Sequence, residues 1–129
     1  MSAIQKKLRS YSDFVAMKPA SDTAIAEAEK ELSVKFSGEY RDYLSVFGAA
    51  AANGHELTGV SASKRLSVVR VTKREWELNP QVPRSMYVIE NTGIDGIIIW
   101  QDASGSVYKS VPHSSQKKLA ASIADYLSM

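Results

Sequence analysis

The residues able to do chemistry in this chain are few and scattered. Its two histidines, His55 and His113, lie far apart in polar stretches that read as loops. A metal site needs clustered ligands and a general base needs an orienting partner, so two solvated histidines are the plainer reading. There is no cysteine, which excludes thiolate nucleophiles, disulfides and cysteine-bearing zinc sites. No Gly-x-Ser-x-Gly elbow presents a serine. Glu90 and Asp95 flank the turn Asn91-Thr92-Gly93, and two carboxylates at a strand end could share acid–base work. Capping the turn or facing solvent is the commoner role of such groups. Gly93 and Gly96 are spaced as in part of a phosphate loop. An apolar strand follows Gly96, however, where a phosphate loop would open a helix, so both read as turn glycines. The expectation is a protein that is not an enzyme and needs no cofactor or metal.

Binding is the chemistry the sequence supports better. Asp22 to Asp42 holds six acids against Lys30, Lys35 and Arg41. Within it Glu27, Glu31, Glu39 and Asp42 form an acidic patch that would mimic phosphate to a basic nuclease and speed encounter. Lys64 to Arg74 holds five bases and no acid. If that segment is helical, Arg70, Lys73 and Arg74 share a flank able to meet phosphates or an acidic protein. Glu75 and Glu77 follow at once and weigh against nucleic acid. For both runs the alternative is a plainly solvated face. Trp76, Tyr87, Trp100 and Tyr108 are candidate interface anchors, because Trp and Tyr dominate hot spots; each is equally a candidate for the core, and one or two of them are expected to touch a partner. The expected partner-binding set is these four aromatics with Glu27, Glu31, Glu39, Asp42, Glu90 and Asp95. A net charge of +2 spread over a two-signed surface suits a protein partner, since nucleic-acid binders carry a stronger basic excess.

The elements that must position these residues follow from periodicity and caps. At 129 residues the chain has the size of one domain, 1–129, with one core. Ala3 to Met17 reads as a helix with Ser10–Ser12 as a candidate break; Pro19 ends it. Ser21 or Asp22 caps a second helix with Ile25, Ala28 and Leu32 on its apolar stripe. A third runs from Gly38 to Phe47, buries Tyr40, Tyr43, Leu44 and Phe47, and stops at Gly48. Ala49 to Gly54 reads as a small-residue loop with a turn at Asn53-Gly54, and Glu56 to Val60 as a short strand. Leu66 to Leu78 fits strand or helix; its length and Ser67 as a cap favour a helix. Met86–Glu90, Ile97–Trp100 and Val107-Tyr108 read as strands of a meander. A last helix is expected after Ser114 or Ser115, carrying Leu119, Ile123, Tyr126 and Leu127. The sum is an α+β fold, an antiparallel sheet flanked by N-terminal helices and a C-terminal helix. Lys6, Lys7 and Arg9 have no apolar run behind them and no stretch reaches membrane-spanning length, so a cytoplasmic protein is expected. An exposed edge of so small a sheet could pair with a second copy.

This order of elements resembles the SUKH superfamily, which includes Smi/Knr-type fungal cell-wall regulators and many bacterial toxin-immunity proteins. The resemblance runs from about residue 21 to 129. Ile25-Ala26-Glu27-Ala28-Glu29-Lys30-Glu31-Leu32, leading into Val34-Lys35-Phe36-Ser37-Gly38-Glu39-Tyr40-Arg41-Asp42-Tyr43-Leu44, is similar to the family's E-x-x-L and Leu-Pro-x-x-Tyr passage. Val88 to Gly96, Ile97 to Tyr108 and the last helix resemble its strand, glycine turn, hairpin and closing helix. Phe36-Ser37 replaces the usual Leu-Pro, and the usual Asn-Gly-Gly is reduced to Asn53-Gly54; Phe36 can still plug the core and Ser37 can still cap a helix. The resemblance implies an immunity protein that binds the toxic domain of a polymorphic toxin. The alternative it leaves open is an intracellular regulatory or scaffolding domain without a toxin. Function inferred this way is a fold-level analogy.

Overall fold

Serine caps start the helices wherever the apolar periodicity begins. The computed structural model describes residues 2–60 and 63–129. Helix α1 (Ala3–Arg9) is capped by Ser2 and buries Ile4 and Leu8. It is shorter than the Ala3–Met17 expected. The chain turns at Ser10, whose hydroxyl donates to the Lys7 carbonyl at 2.6 Å, and Val15–Ala16 becomes a strand, β1, whose β-branched residue suits pairing. In α2 (Asp22–Leu32) the Ser21 hydroxyl accepts the Ala24 N–H, and Ile25, Ala28 and Leu32 face inward. In α3 (Gly38–Phe47) Ser37 accepts the Tyr40 N–H in the same way, and the four expected apolar residues are buried. Gly48 ends α3 at φ 71°, with its Cα against the Lys18 carbonyl: an added Cβ would lie 1.9 Å from that oxygen. Only glycine fits there.

Two antiparallel sheets follow among the described residues. Ala50–Ala52 is not a loop but β2, paired with β1 on one side and with β3 (His55–Glu56) on the other. Asn53 and Gly54 both have positive φ, the conformation of the tight hairpin turn that Asn-Gly favours. The strand expected over Glu56–Val60 stops at Glu56; beyond it the chain runs beside the main sheet, with the Thr58 N–H on the Ile89 carbonyl at 2.9 Å. Leu66 to Leu78 resolves as α4 (Val68–Leu78), with Ser67 accepting the Arg70 N–H. Its buried residues Val68, Val71, Thr72, Glu75 and Trp76 repeat with helical period.

The larger sheet is the meander β4 (Tyr87–Asn91), β5 (Ile98–Gln101), β6 (Val107–Ser110) and β7 (Lys117–Ala120), in that order. β7 replaces the first half of the expected last helix: Ala120 pairs with Val107 and Lys118 with Tyr108. The helix that remains, α5 (Ile123–Leu127), is capped by Ser122 rather than Ser114 or Ser115. β7 is an edge strand, and exposed Lys117 and Lys118 are the kind of charge that discourages strand-to-strand association. Between α3 and the sheet lies an aromatic cluster, with Phe36 centred 5.0 Å from Tyr40 and 4.8 Å from Tyr87, edge to face. The fold is α+β, as expected.

Candidate partner-binding surface

Lys64, Arg65, Arg70 and Arg74 of the basic run form one wall of a groove of about 460 Å³; Lys73, expected on the same flank as Arg70 and Arg74, faces Glu31 of α2 (Asp22–Leu32) instead. Arg70 and Arg74 are four residues apart on α4, so they stand one above the other on its solvent flank. Leu66 and Val71 add apolar lining, and Thr58 and Asn91 line the groove as well. Arg65 meets Glu56 with both guanidinium nitrogens, the second at 3.1 Å, and this pairing holds the Glu56 carboxyl below its usual range. Arg74 comes only within 4.0 Å of Glu75. Lys64 and Arg70 make no ion pair among the described residues. Glu75 is buried at 5% exposure. Burial raises its pKa, against the pull of Arg74 and the Asn79 amide, which donates to it at 3.2 Å.

The acidic run spans α2 and the first half of α3, and its α2 part packs beside α4. Glu31 of α2 reaches Lys73 of α4 at 3.5 Å. Glu27, one turn earlier on the same flank, is exposed and makes no ion pair among the described residues. Two members of the expected patch are engaged inside the molecule. Glu39 accepts the backbone N–H groups of Ile123 and Ala124 and the Gln101 amide. Asp42 accepts the Ser2 hydroxyl and, at 2.8 Å, the Gln5 amide, tying α1 to α3. The α2–α4 surface is therefore two-signed, with the Glu31–Lys73 pair between its halves.

The expected aromatic anchors separate by depth. Trp100 and Tyr87 are fully buried, and Trp76 is 6% exposed. Trp100 Nε1 donates to Ser110 Oγ at 2.8 Å, Trp76 Nε1 to the Met86 carbonyl at 3.0 Å, and Tyr87 hydroxyl to Gln101 Oε1 at 2.7 Å. Tyr108 is half-buried, with its hydroxyl 3.2 Å from Asp102 Oδ2. Asp95 is exposed in the β4–β5 turn at φ 51°. Exposed or half-exposed positions left by the expected set are thus Glu27, Glu31, Asp95 and Tyr108, besides the two engaged acids.

Glu90 is buried and works as a hub. Its Oε1 accepts the Tyr126 hydroxyl and lies 2.9 Å from His55 Nδ1, while Oε2 accepts the Glu56 N–H at 2.9 Å. His55 is accordingly not a solvated loop histidine but a half-buried residue of β3, held between Glu90 and the Tyr126 ring. His113 is exposed. Glu90 and Asp95 are not brought together: one is inside the fold, the other at the turn's tip. Among the described residues no three His, Cys, Asp or Glu side chains gather as metal ligands, and no helix is long and apolar enough to cross a membrane.

Sequence reasoning found the cationic wall but missed Thr58, Leu66 and Asn91, which have no chemical signature of their own and reach the groove only through the fold. A family model, SUKH_5, described as SMI1-KNR4 cell-wall, matches residues 1–129. The match thus takes in α1 and β1, ahead of the motifs that begin at residue 21. No curated protein shows significant similarity to the chain.

Proposed function

We propose that this chain, which belongs to the SMI1-KNR4 (SUKH) family, is an immunity protein that binds the toxic domain of a polymorphic toxin in the cytoplasm of the cell that makes both. The observation that carries the reading is the α2–α4 surface, where exposed charges of both signs, Glu27 and Arg70, stand without ion-pair partners among the described residues. Unpaired charge of both signs on rigid helices favours fast, oriented encounter with a complementary protein. Glu27, Glu31, Asp95 and Tyr108 are the proposed contacts of the original set. Trp76, Tyr87, Glu90 and Trp100 would act by holding the shape of that surface. Blocking is steric: a preformed face covers the toxin's active site or its substrate path, with no cofactor and no chemical step.

The test is genetic and biochemical together. Deleting the gene should kill only cells that carry the toxin, and affinity capture from cells expressing the neighbouring open reading frames should recover one stoichiometric protein with a toxic C-terminal domain. Survival of toxin-bearing deletants, with only housekeeping proteins recovered, would overturn immunity and favour a regulatory or scaffolding role.

A further inference from the structure

We infer that the groove beside α4 grips two carboxylates of an acidic, extended segment of the protein partner. This rests on the partner-binding reading above and adds the chemistry of what is held. Arg70 and Arg74 are separated by four residues of helix, about 6 Å along the axis at ~1.5 Å per residue. In an extended chain, alternate side chains share one face and repeat every ~6.6 Å. An acid-x-acid segment laid along α4 therefore presents one carboxylate to each guanidinium.

The surroundings select this occupant. Arg65 is held by Glu56, whereas Arg70 and Lys64 make no ion pair among the described residues and Arg74 is only loosely engaged. Guanidinium forks match carboxylates in two-pronged geometry. Leu66 and Val71 give the stems of the bound side chains an apolar wall. A volume of about 460 Å³ holds a few side chains and not a folded element. Nucleic acid fits less well. Glu56 and Glu75 line the same groove and Glu77 lies on the same helix; a segment with only two carboxylates, spaced to Arg70 and Arg74, can avoid them, whereas an uninterrupted line of phosphates cannot.

The experiment uses the full chain, labelled with ¹⁵N, and a fluorescein-tagged peptide of four Glu-Val repeats. The expected result is saturable binding with amide shifts confined to the α4 flank and the Glu56 and Leu66 region. A peptide of four Gln-Val repeats should bind at least about tenfold more weakly, and the R70E/R74E variant should weaken Glu-Val binding by a similar factor. Both arginines are exposed on α4, and retained spectral dispersion checks the variant's fold. In the binding assay the inference is overturned by no binding up to about 1 mM peptide, by equal binding of the Gln-Val peptide, by indifference to R70E/R74E, or by tighter binding of a uridine hexamer or inorganic phosphate at the same amides. The immunity reading fails separately. If R70E/R74E protects toxin-bearing cells as well as wild type does, the groove inference falls and immunity stands.

Discussion

The Glu39 carboxylate, in the first turn of α3, receives the backbone N–H of Ile123 at 2.7 Å and of Ala124 at 3.1 Å, across 84 and 85 residues of sequence. These are the first N–H groups of α5, a helix of five residues. Such a helix is too short to persist alone, and its opening N–H groups have no partner within it. A carboxylate at that end satisfies them and meets the positive end of the helix dipole. Gln101 also donates to Glu39 at 3.0 Å, so one side chain joins α3, the sheet and α5.

Replacing Glu39 by Ala should therefore destabilise the fold by about 2 kcal/mol, the scale of charge-assisted bonds lost with their partners left unpaired. Urea unfolding gives the magnitude. Hydrogen exchange gives the location: the Ile123 and Ala124 amides should lose protection in the folded state, while those of β5 keep theirs. Unchanged protection at those two amides would show that Ser122 suffices as the cap.

Trp100 and Glu27 separate folding from binding. Trp100 is fully buried and its indole N–H is bonded to Ser110, so Trp100→Ala should cost about 3–5 kcal/mol. Glu27→Lys, on an exposed flank of α2, should change stability by less than about 0.5 kcal/mol and slow partner association instead. Chemical denaturation of both variants beside association kinetics checks the contrast. A Glu27→Lys protein that associates at the wild-type rate would remove α2 from the proposed interface.

What the sequence made legible is local. Ser21, Ser37 and Ser67 each sit just before a helical stripe, and each caps a helix whose side chain-to-backbone bond spans three residues. What it hid is non-local. Ala50–Ala52 has no strand propensity of its own and is extended because Val15–Ala16 and His55–Glu56 pair with it. Leu119 lies four residues before Ile123 and mimics a helical stripe, but pairing with β6 holds 117–120 extended. The same limit governs the site. The basic run was visible as charge, whereas Glu39 and Glu90 gain their partners from residues dozens of positions away. Tyr87 and Trp100 could be read as core or anchor until the sheet placed them under the helices.

Alkaline pH tests the buried tyrosines. Burial raises the pKa of Tyr40, Tyr43, Tyr87 and Tyr126, the last helped by the adjacent Glu90 carboxylate. A group whose folded pKa lies above its unfolded value, near 10 for tyrosine, contributes its full stability below pH 10 and loses it as pH rises. Each such ring lowers stability by up to about 1.4 kcal/mol per pH unit above 10. The expected outcome is cooperative unfolding within about two units above pH 10, with the phenolate absorbance of these four rings appearing together with loss of helical circular dichroism. Gradual ionisation of these rings in a still-folded protein would contradict the packing.

Glu75 gives the opposite kind of test, at the acid side. Its carboxyl is buried, and burial raises its pKa above the usual 4.5 despite Arg74 and Asn79. Below that ordinary value the group is protonated in both folded and unfolded chains and carries no charge penalty. As pH rises through the raised folded value, the unfolded chain ionises freely while the folded one resists, so stability drains away. Gln is nearly isosteric, cannot ionise, and keeps an oxygen for the Asn79 amide now bonded to Oε1 at 3.2 Å. Glu75→Gln should match wild type near pH 4 and exceed it by roughly 1 kcal/mol at pH 7, the usual gain from one optimised site. Urea midpoints across that range decide the matter. A difference that shrinks as pH rises would mean that the ionised carboxylate is stabilised by Arg74, and that the arginine is less free for a partner's carboxylate than the groove geometry implies.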